Sequence, residues 1–134
     1  MLVSIISIYY NRHDKVNESI GSLLSQTYTN IEVIAIDDGS TDGTYEALRS
    51  IRDNRLRVYR HDNMGFTNSI IKAIELAKGS IIAIHGSGDL SHQTRIEKQL
   101  YVLSNDQSIG VVGCYVQKIN TVFDKSTIHR PAIP

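Results

Sequence analysis

The chain has almost no cysteine, no excess of either charge and no long apolar run, and each absence removes a class of function. Its single cysteine, Cys114, has no partner for an internal disulfide. A disulfide scaffold is therefore excluded, and a reducing compartment is expected, either the cytoplasm or the cytoplasmic face of the membrane. Fourteen Lys and Arg balance 14 Asp and Glu. Without a basic block, binding to duplex nucleic acid, which is mostly phosphate neutralisation, is not expected. The apolar run from Leu2 to Tyr10 is too short to span a bilayer. It has neither a basic flank before it nor a small-residue cleavage site after it, so no leader is expected. Internal repeats and low-complexity tracts are also missing, which excludes a fibre. What remains is 134 residues, 41% of them hydrophobic. A domain of this length buries about two thirds of the surface its unfolded chain exposes, enough to fold without a metal or disulfide staple. One domain over 1–134 is expected, fading into a poorly defined tail at 118–134.

The apolar periodicity alternates between two kinds of segment. Leu2–Tyr10, Ile31–Ile36, Leu56–Tyr59 and Ser80–Ile84 are short, β-branched runs that end in polar clusters, the pattern of buried strands. Val111–Val116 is expected as a fifth. Between them, residues recur at helical spacing: Val16, Ile20, Leu23, Leu24 and Thr27; Thr44, Ala47, Leu48 and Ile51; Ile70, Ile71, Ile74 and Ala77; Ile96, Leu100 and Leu103. Asp14 is expected to cap the first helix, Ser40, Thr41 or Asp42 the second, and Gly79 to end the third. Strict β-α alternation with continuous apolar strands predicts a parallel sheet with helices on both faces, a Rossmann-like three-layer α/β/α sandwich. Loops leaving the carboxyl ends of such strands share one edge, where ligands bind. Four polar clusters fall there: Tyr10 to Arg12, Asp37 to Ser40, His61 to Asn63 and His85 to Asp89.

Two of those clusters carry most of the chemistry. Adjacent carboxylates at a strand end, Asp37 and Asp38, accept hydrogen bonds from ribose hydroxyls or a base N–H, or else form an extended acidic helix cap. In His85-Gly86-Ser87-Gly88-Asp89 the glycines read first as a flexible turn, or else let a phosphate approach the backbone. The dinucleotide fingerprint is absent, because Ser91 stands where its third glycine belongs and the loop follows the fourth strand. That disfavours a nicotinamide-dependent oxidoreductase. Asp89 is the one carboxylate of this loop that could hold a hard divalent cation, and alone it makes a poor site. The five histidines have no tight metal spacing and read mostly as solvated loop residues, with His85 and His92 bracketing Asp89. Cys114, inside an expected strand, reads as buried. Tyr9 and Tyr10 either stack on a base or pack.

Taken in order, these blocks resemble the family-2 glycosyltransferases of the GT-A fold, which move a sugar from a nucleotide diphosphate donor with inversion. Val3-Ser4-Ile5-Ile6 leading to Tyr10-Asn11-Arg12, Ser22-Leu-Leu-Ser-Gln-Thr-Tyr28 with Asn30, and Ile36-Asp-Asp-Gly-Ser-Thr-Asp-Gly-Thr44 are similar to the family's opening blocks. Asn63-Met-Gly65 and Ala77-Lys-Gly79 are similar to its middle. Asp89-Leu-Ser-His-Gln-Thr-Arg-Ile-Glu-Lys-Gln99 is similar to the segment after its metal motif. The resemblance implies a donor pocket with Tyr10, Asn11 and Arg12 against base and ribose, Asp38 hydrogen-bonded to one of them with Asp37 alongside, and Asn63 and Gly65 on the far side.

It also implies a divalent cation, Mn or Mg, on the pyrophosphate, held by an aspartate-x-aspartate-aspartate motif. Here that motif is reduced to Gly86, Gly88 and Asp89, so Asp89 is the sole metal candidate and cation affinity is expected to fall. The implied partners are a UDP-sugar or similar donor and a saccharide or lipid-linked acceptor, as in bacterial surface polysaccharide synthesis. Family members continue past residue 134 and supply the general base there. The chain is thus expected to be the donor half, truncated on its C-terminal side, weak or inactive alone, and able to dimerise through apolar surface left uncovered. A noncatalytic nucleotide-binding or assembly domain is the alternative.

Overall fold

The structure, a computed structural model, describes residues 1–120 and 125–129. The chain divides into two compact units, Met1–Ile96 and Glu97–Pro134. The first is built on four parallel strands: β1 (Val3–Tyr9), β2 (Ile31–Asp38), β3 (Leu56–His61) and β4 (Ile81–Gly86). They lie in the order β3-β2-β1-β4. β1 and β2 are buried along their whole length, which is why both read as unbroken apolar runs and not as alternating ones.

Helices cover both faces of this sheet. Residues of one parity, Ile6 and Ile8 of β1 with Ile34 and Ile36 of β2, form a core with Ala73 of α3 (Phe66–Leu76). On the other face, Tyr9 is wholly buried and its hydroxyl hydrogen-bonds Ser19 of α1 (Val16–Leu24) at 2.9 Å. α2 (Thr44–Ser50) packs beside α1 against β2 and β3. A parallel sheet with helices on both faces is the architecture that the alternation predicts.

Several local expectations are corrected. Asp14 does not cap α1; it lies in a 3-10 turn, His13–Lys15, that leads into the helix through the Lys15 N–H and the Arg12 carbonyl. At α2 the N-cap is Gly43, in the left-handed region, and Asp42 acts from one residue earlier by accepting from Thr44 N at 3.0 Å. The buried line of α3 runs through Ser69 and Ala73, with Ile70, Leu76 and Ala77 partly covered, whereas Ile71 and Ile74 are exposed. Gly79 is not a left-handed cap. A β-carbon there would stand 2.6 Å from the Leu2 carbonyl and 2.8 Å from Ser4 N, so glycine is required by close passage against β1.

In the second unit, residues 111–115 form no regular structure and the fifth strand starts at the end of the expected segment. β5 (Val116–Asn120) pairs antiparallel with β6 (Lys125–His129) in a separate two-stranded sheet. Only a backbone partner decides whether a β-branched run becomes a strand, and the partner here is local. Cys114 is accordingly exposed, not buried in a strand. The remainder of the expected tail, 121–124 and 130–134, lies outside the described residues. α4 (Arg95–Asn105) begins in the first unit, where Ile96 is buried. None of the described helices is long and apolar enough to cross a membrane.

Two polar clusters fix the first unit's layers. At the amino ends of the strands Glu32, buried on β2, accepts from Ser4 Oγ (2.6 Å), Lys78 N (2.6 Å) and Arg57 Nη1 (2.7 Å). Burial pushes its carboxyl up, but the hydrogen bonds together outweigh burial and hold it below the ordinary value. Gln26, at the end of α1, donates to the carbonyls of Ser22 and His92 and accepts from Ile96 N at 3.1 Å. It therefore ties α1 to the segment leaving β4.

Glu32→Gln is expected to cost about 2 kcal/mol at neutral pH, since charged hydrogen bonds of this kind contribute about 1.5–3 kcal/mol each. A depressed carboxylate stabilises above its unfolded pKa and the contribution is lost as pH falls through the folded value. Urea midpoints measured from pH 7 to pH 3 should therefore drop below about pH 4.5 in the parent and drop less in the variant. Gln26→Ala should cost about 2 kcal/mol in the same assay by leaving buried backbone groups unpaired.

Candidate functional site

The parallel register sets the chemistry of the sheet's carboxyl edge. Tyr9, Asp37 and Arg60 stand in one row across β1, β2 and β3, with Asp38 beside His61 in the next. On the other side of β1, Ile8 is level with Gly86 of β4. All four polar loops leave this edge, as the alternation predicts.

The first two loops are joined by backbone N–H groups of each donating to side-chain oxygens of the other. Asn11 N donates to Ser40 Oγ and Asn11 Oδ1 accepts from Thr41 N, both at 2.9 Å. Arg12 N donates to Thr44 Oγ1 at 2.9 Å and His13 N to Asp42 Oδ2 at 3.1 Å. Asn11 has φ +49, a left-handed conformation that asparagine tolerates better than most side chains. Its amide thus builds the rim, while the side chains of Tyr10 and Arg12 are exposed on it. Tyr9 packs and Tyr10 is the solvent-facing member of the pair.

Asp38 joins the second loop to the third. Its Oδ1 accepts from Met64 N at 2.8 Å, and its Oδ2 from Gly65 N at 3.1 Å and Asn63 Nδ2 at 3.3 Å. His61 Nδ1 lies 3.3 Å from the same carboxylate. Gly39, at φ +77, lets the loops meet, since a β-carbon there would stand 2.7 Å from Asn63 N. Asp37 is fully buried. One oxygen faces Arg60 Nε at 3.3 Å and Ser40 N at 3.3 Å, and Oδ1 has no hydrogen-bond partner among the described residues. Arg60 is half exposed and also donates to the Ser40 carbonyl. Of the two carboxylates, Asp38 is committed to protein donors and Asp37 keeps one buried oxygen without a partner among the described residues.

The fourth loop is anchored from beneath. His85 is buried at the end of β4, not solvated, with Nε2 3.1 Å from the Asp89 carbonyl and 3.4 Å from Ser19 Oγ. Burial pushes its pKa down, with a further push from the Arg95 guanidinium. The ring is therefore a neutral donor through Nε2 that fixes the turn at 85–89. Ser19 Oγ meets Tyr9 OH, His85 Nε2 and Gly88 N, a hub that no local sequence signal marks. Asp89 is exposed, and His92, on a later turn, bonds Thr94 and takes no part in the loop. Among the described residues no three His, Cys, Asp or Glu side chains cluster as a metal site.

Comparison with known proteins agrees with this geometry. The profile of Glycosyl transferase family 2 matches residues 4–132. The chain is 36% identical over 107 residues to the UDP-Glc:alpha-D-GlcNAc-diphosphoundecaprenol beta-1,3-glucosyltransferase WfaP of Escherichia coli, covering 79% of this chain and 43% of that one. It is 37% identical over 102 residues to the putative teichuronic acid biosynthesis glycosyltransferase TuaG of Bacillus subtilis, covering 74% and 40%. Among solved structures, the mannosyltransferase PcManGT of Pyrobaculum calidifontis, in complex with GDP-Man and Mn2+, superposes with TM-score 0.74 at 25% identity over 81% of this chain and 33% of that one. S. aureus TarS 1–349 in complex with UDP does so with TM-score 0.72 at 26% identity, covering 80% and 33%. The chain spans less than half the length of the curated relatives reported, from 16% to 47% of each. The parallel sheet, the ordered rim loops and these matches together make the fold GT-A, and the chain belongs to glycosyl transferase family 2.

Proposed function

We propose that this chain is the nucleotide-sugar-binding part of a glycosyltransferase that passes a sugar from a nucleoside diphosphate to a saccharide or lipid-linked acceptor in surface polysaccharide assembly. The observation that carries the reading is Asp37, a fully buried carboxylate at the sheet's carboxyl edge whose Oδ1 has no partner among the described residues. A buried acceptor of this kind costs about 1–3 kcal/mol until a donor meets it. A base N–H or ribose hydroxyl becomes such a donor once the rim side chains over Asp37 move to admit it. Tyr10, Asn11 and Arg12 would flank the nucleotide on one side and Asn63 and Gly65 on the other, with Asp38 holding the 63–65 loop in place. UDP, UDP-GlcNAc and GDP-Man in the related structures support a nucleoside diphosphate as the ligand class, and a cytoplasmic donor pool fits the reading.

The reaction such a site serves is direct displacement at the anomeric carbon. A base removes the acceptor proton while the departing diphosphate is stabilised by positive charge or hydrogen-bond donors. The rim residues bind and orient the donor. No carboxylate among the described residues is assigned as the base. A second reading, a noncatalytic nucleotide-binding or assembly domain, draws its support from Gly86 and Gly88, which remove two carboxylates from the loop after β4.

Calorimetric titration of the chain with UDP, and in parallel with GDP, tests the donor reading. One of the two is expected to bind, with affinity in the micromolar to millimolar range typical of about −4 to −8 kcal/mol. Arg12→Ala, an exposed side chain, should weaken that binding about fivefold or more with the thermal midpoint unchanged. Absence of binding by either nucleotide at millimolar concentration would sink the reading. Acceptor-dependent release of nucleoside diphosphate by the chain would decide for the enzyme over the noncatalytic domain.

A further inference from the structure

The loop after β4 has no side chain at 86 or 88, and in each case another residue takes the space. A β-carbon at Gly86 would stand 3.1 Å from Cγ of Asp89, with Oδ2 of that carboxylate nearer still. Asp89 has therefore folded back over the backbone of Gly86. At Gly88, which has φ +91, a β-carbon would lie 3.5 Å from both Cβ and Cγ of Lys15. A lysine stem thus runs over the position where the family resemblance expects a second acidic side chain.

The fit of this loop to a divalent cation is poor. Mg2+ and Mn2+ are held by several hard oxygen ligands, usually carboxylates plus substrate phosphates. This loop offers the one carboxylate of Asp89, and no cluster of three metal-ligating side chains occurs among the described residues. Two cationic side chains reach this stretch: Arg95, which donates to the Ile84 carbonyl and lies 3.5 Å from His85 Nδ1, and Lys15, whose stem passes over Gly88. Lys15 is exposed, and none of the ion pairs among the described residues involves it.

Topology puts that lysine in a telling place. Lys15 ends the 3-10 turn that follows β1, and Gly88 lies on the loop that follows β4. β1 and β4 are neighbours where the strand order β3-β2-β1-β4 reverses direction. In open α/β sheets the crevice outside the strand ends at such a switch point is where ligands lie. A phosphate group there would meet the Lys15 side chain and a loop with no acidic side chain at 86 or 88, Asp89 being its one remaining carboxylate. Removing carboxylates and adding an ammonium changes the local balance toward anions without any metal.

Resting on the donor-site reading above, we propose that Lys15 replaces the divalent cation in this chain: its ammonium engages the diphosphate of the nucleotide, and binding needs no metal ion. The energetic form is a charge-assisted contact from a flexible, rotatable donor, as lysine provides at many phosphate sites.

The test is a set of titrations of the full chain with UDP and with uridine, and in parallel with GDP and guanosine, each in Mn2+ and in EDTA. UDP or GDP is expected to bind with the same affinity, within about twofold, in both conditions. Lys15→Ala should weaken the diphosphate about tenfold or more while leaving the nucleoside unchanged, and Lys15→Arg should retain most of the affinity. Lys15 is exposed, and equal thermal midpoints check that both variants fold. Tenfold tighter binding of the diphosphate in Mn2+, or undiminished binding by Lys15→Ala, would overturn the assignment. A nucleoside that binds as tightly as its diphosphate would overturn it as well, with the donor pocket itself intact. Failure of all four ligands in both conditions would remove the donor reading and the lysine's role together.

Discussion

The Asp38 carboxylate is the interaction on which the rim of the sheet depends. It sits at the last residue of β2, almost fully buried, and accepts from the backbone N–H groups of Met64 and Gly65 and from the Asn63 amide. Hydrogen bonds to an ionised acceptor contribute about 1.5–3 kcal/mol each, and here they draw the loop after β3 onto the end of β2. With that loop fixed and Gly39 allowing its approach, the Asn11 and Arg12 contacts bind the loop after β1 to the other flank of the 38–44 segment. Three loops from three strands thereby become one continuous surface.

The fourth loop is held by a different device. Ser19, in the middle of α1, faces Tyr9, His85 and Gly88 at once, and the buried neutral His85 grips the Asp89 carbonyl. Helix α1 thus positions the loop after β4 from below, while the 3-10 turn just before it carries Lys15 above. Helix α1 and the turn before it both reach the loop after β4. A site for a charged ligand gains from such placement, because donors placed in advance cost no reorganisation when the ligand arrives.

Much of this was legible beforehand, and the failures have particular causes. Val3–Tyr9 and Ile31–Asp38 announce themselves because strands buried on both faces must be apolar throughout. Polar clusters at their ends locate the rim because parallel strands point one way. Val111–Val116 carries the same local signal, yet only its last residue enters a strand, and Cys114 is left exposed. Nothing in the six residues says which backbone they will pair with. Ile71 and Ile74 misled for a related reason: the spacing of isoleucines suggests one stripe on α3, whereas the sheet selects Ser69 and Ala73, small enough for close packing.

The division between the two kinds of information follows from range. The sequence alone determines what is local: the alternation of strand and helix, the placement of Asp37, Asp38, Asn11, Arg12 and Asp89 at one edge of the sheet, and the loss of acidic side chains at 86 and 88. Tertiary structure decides what depends on partners 20 to 70 residues away. It commits Asp38 to the 63–65 backbone and leaves Asp37 Oδ1 without a partner among the described residues, it buries His85 as a neutral support, and it lays the Lys15 stem over Gly88. Periodicity reports which face of an element is apolar, but hydrogen bonds and charges are assigned only when the register of the sheet brings distant residues together.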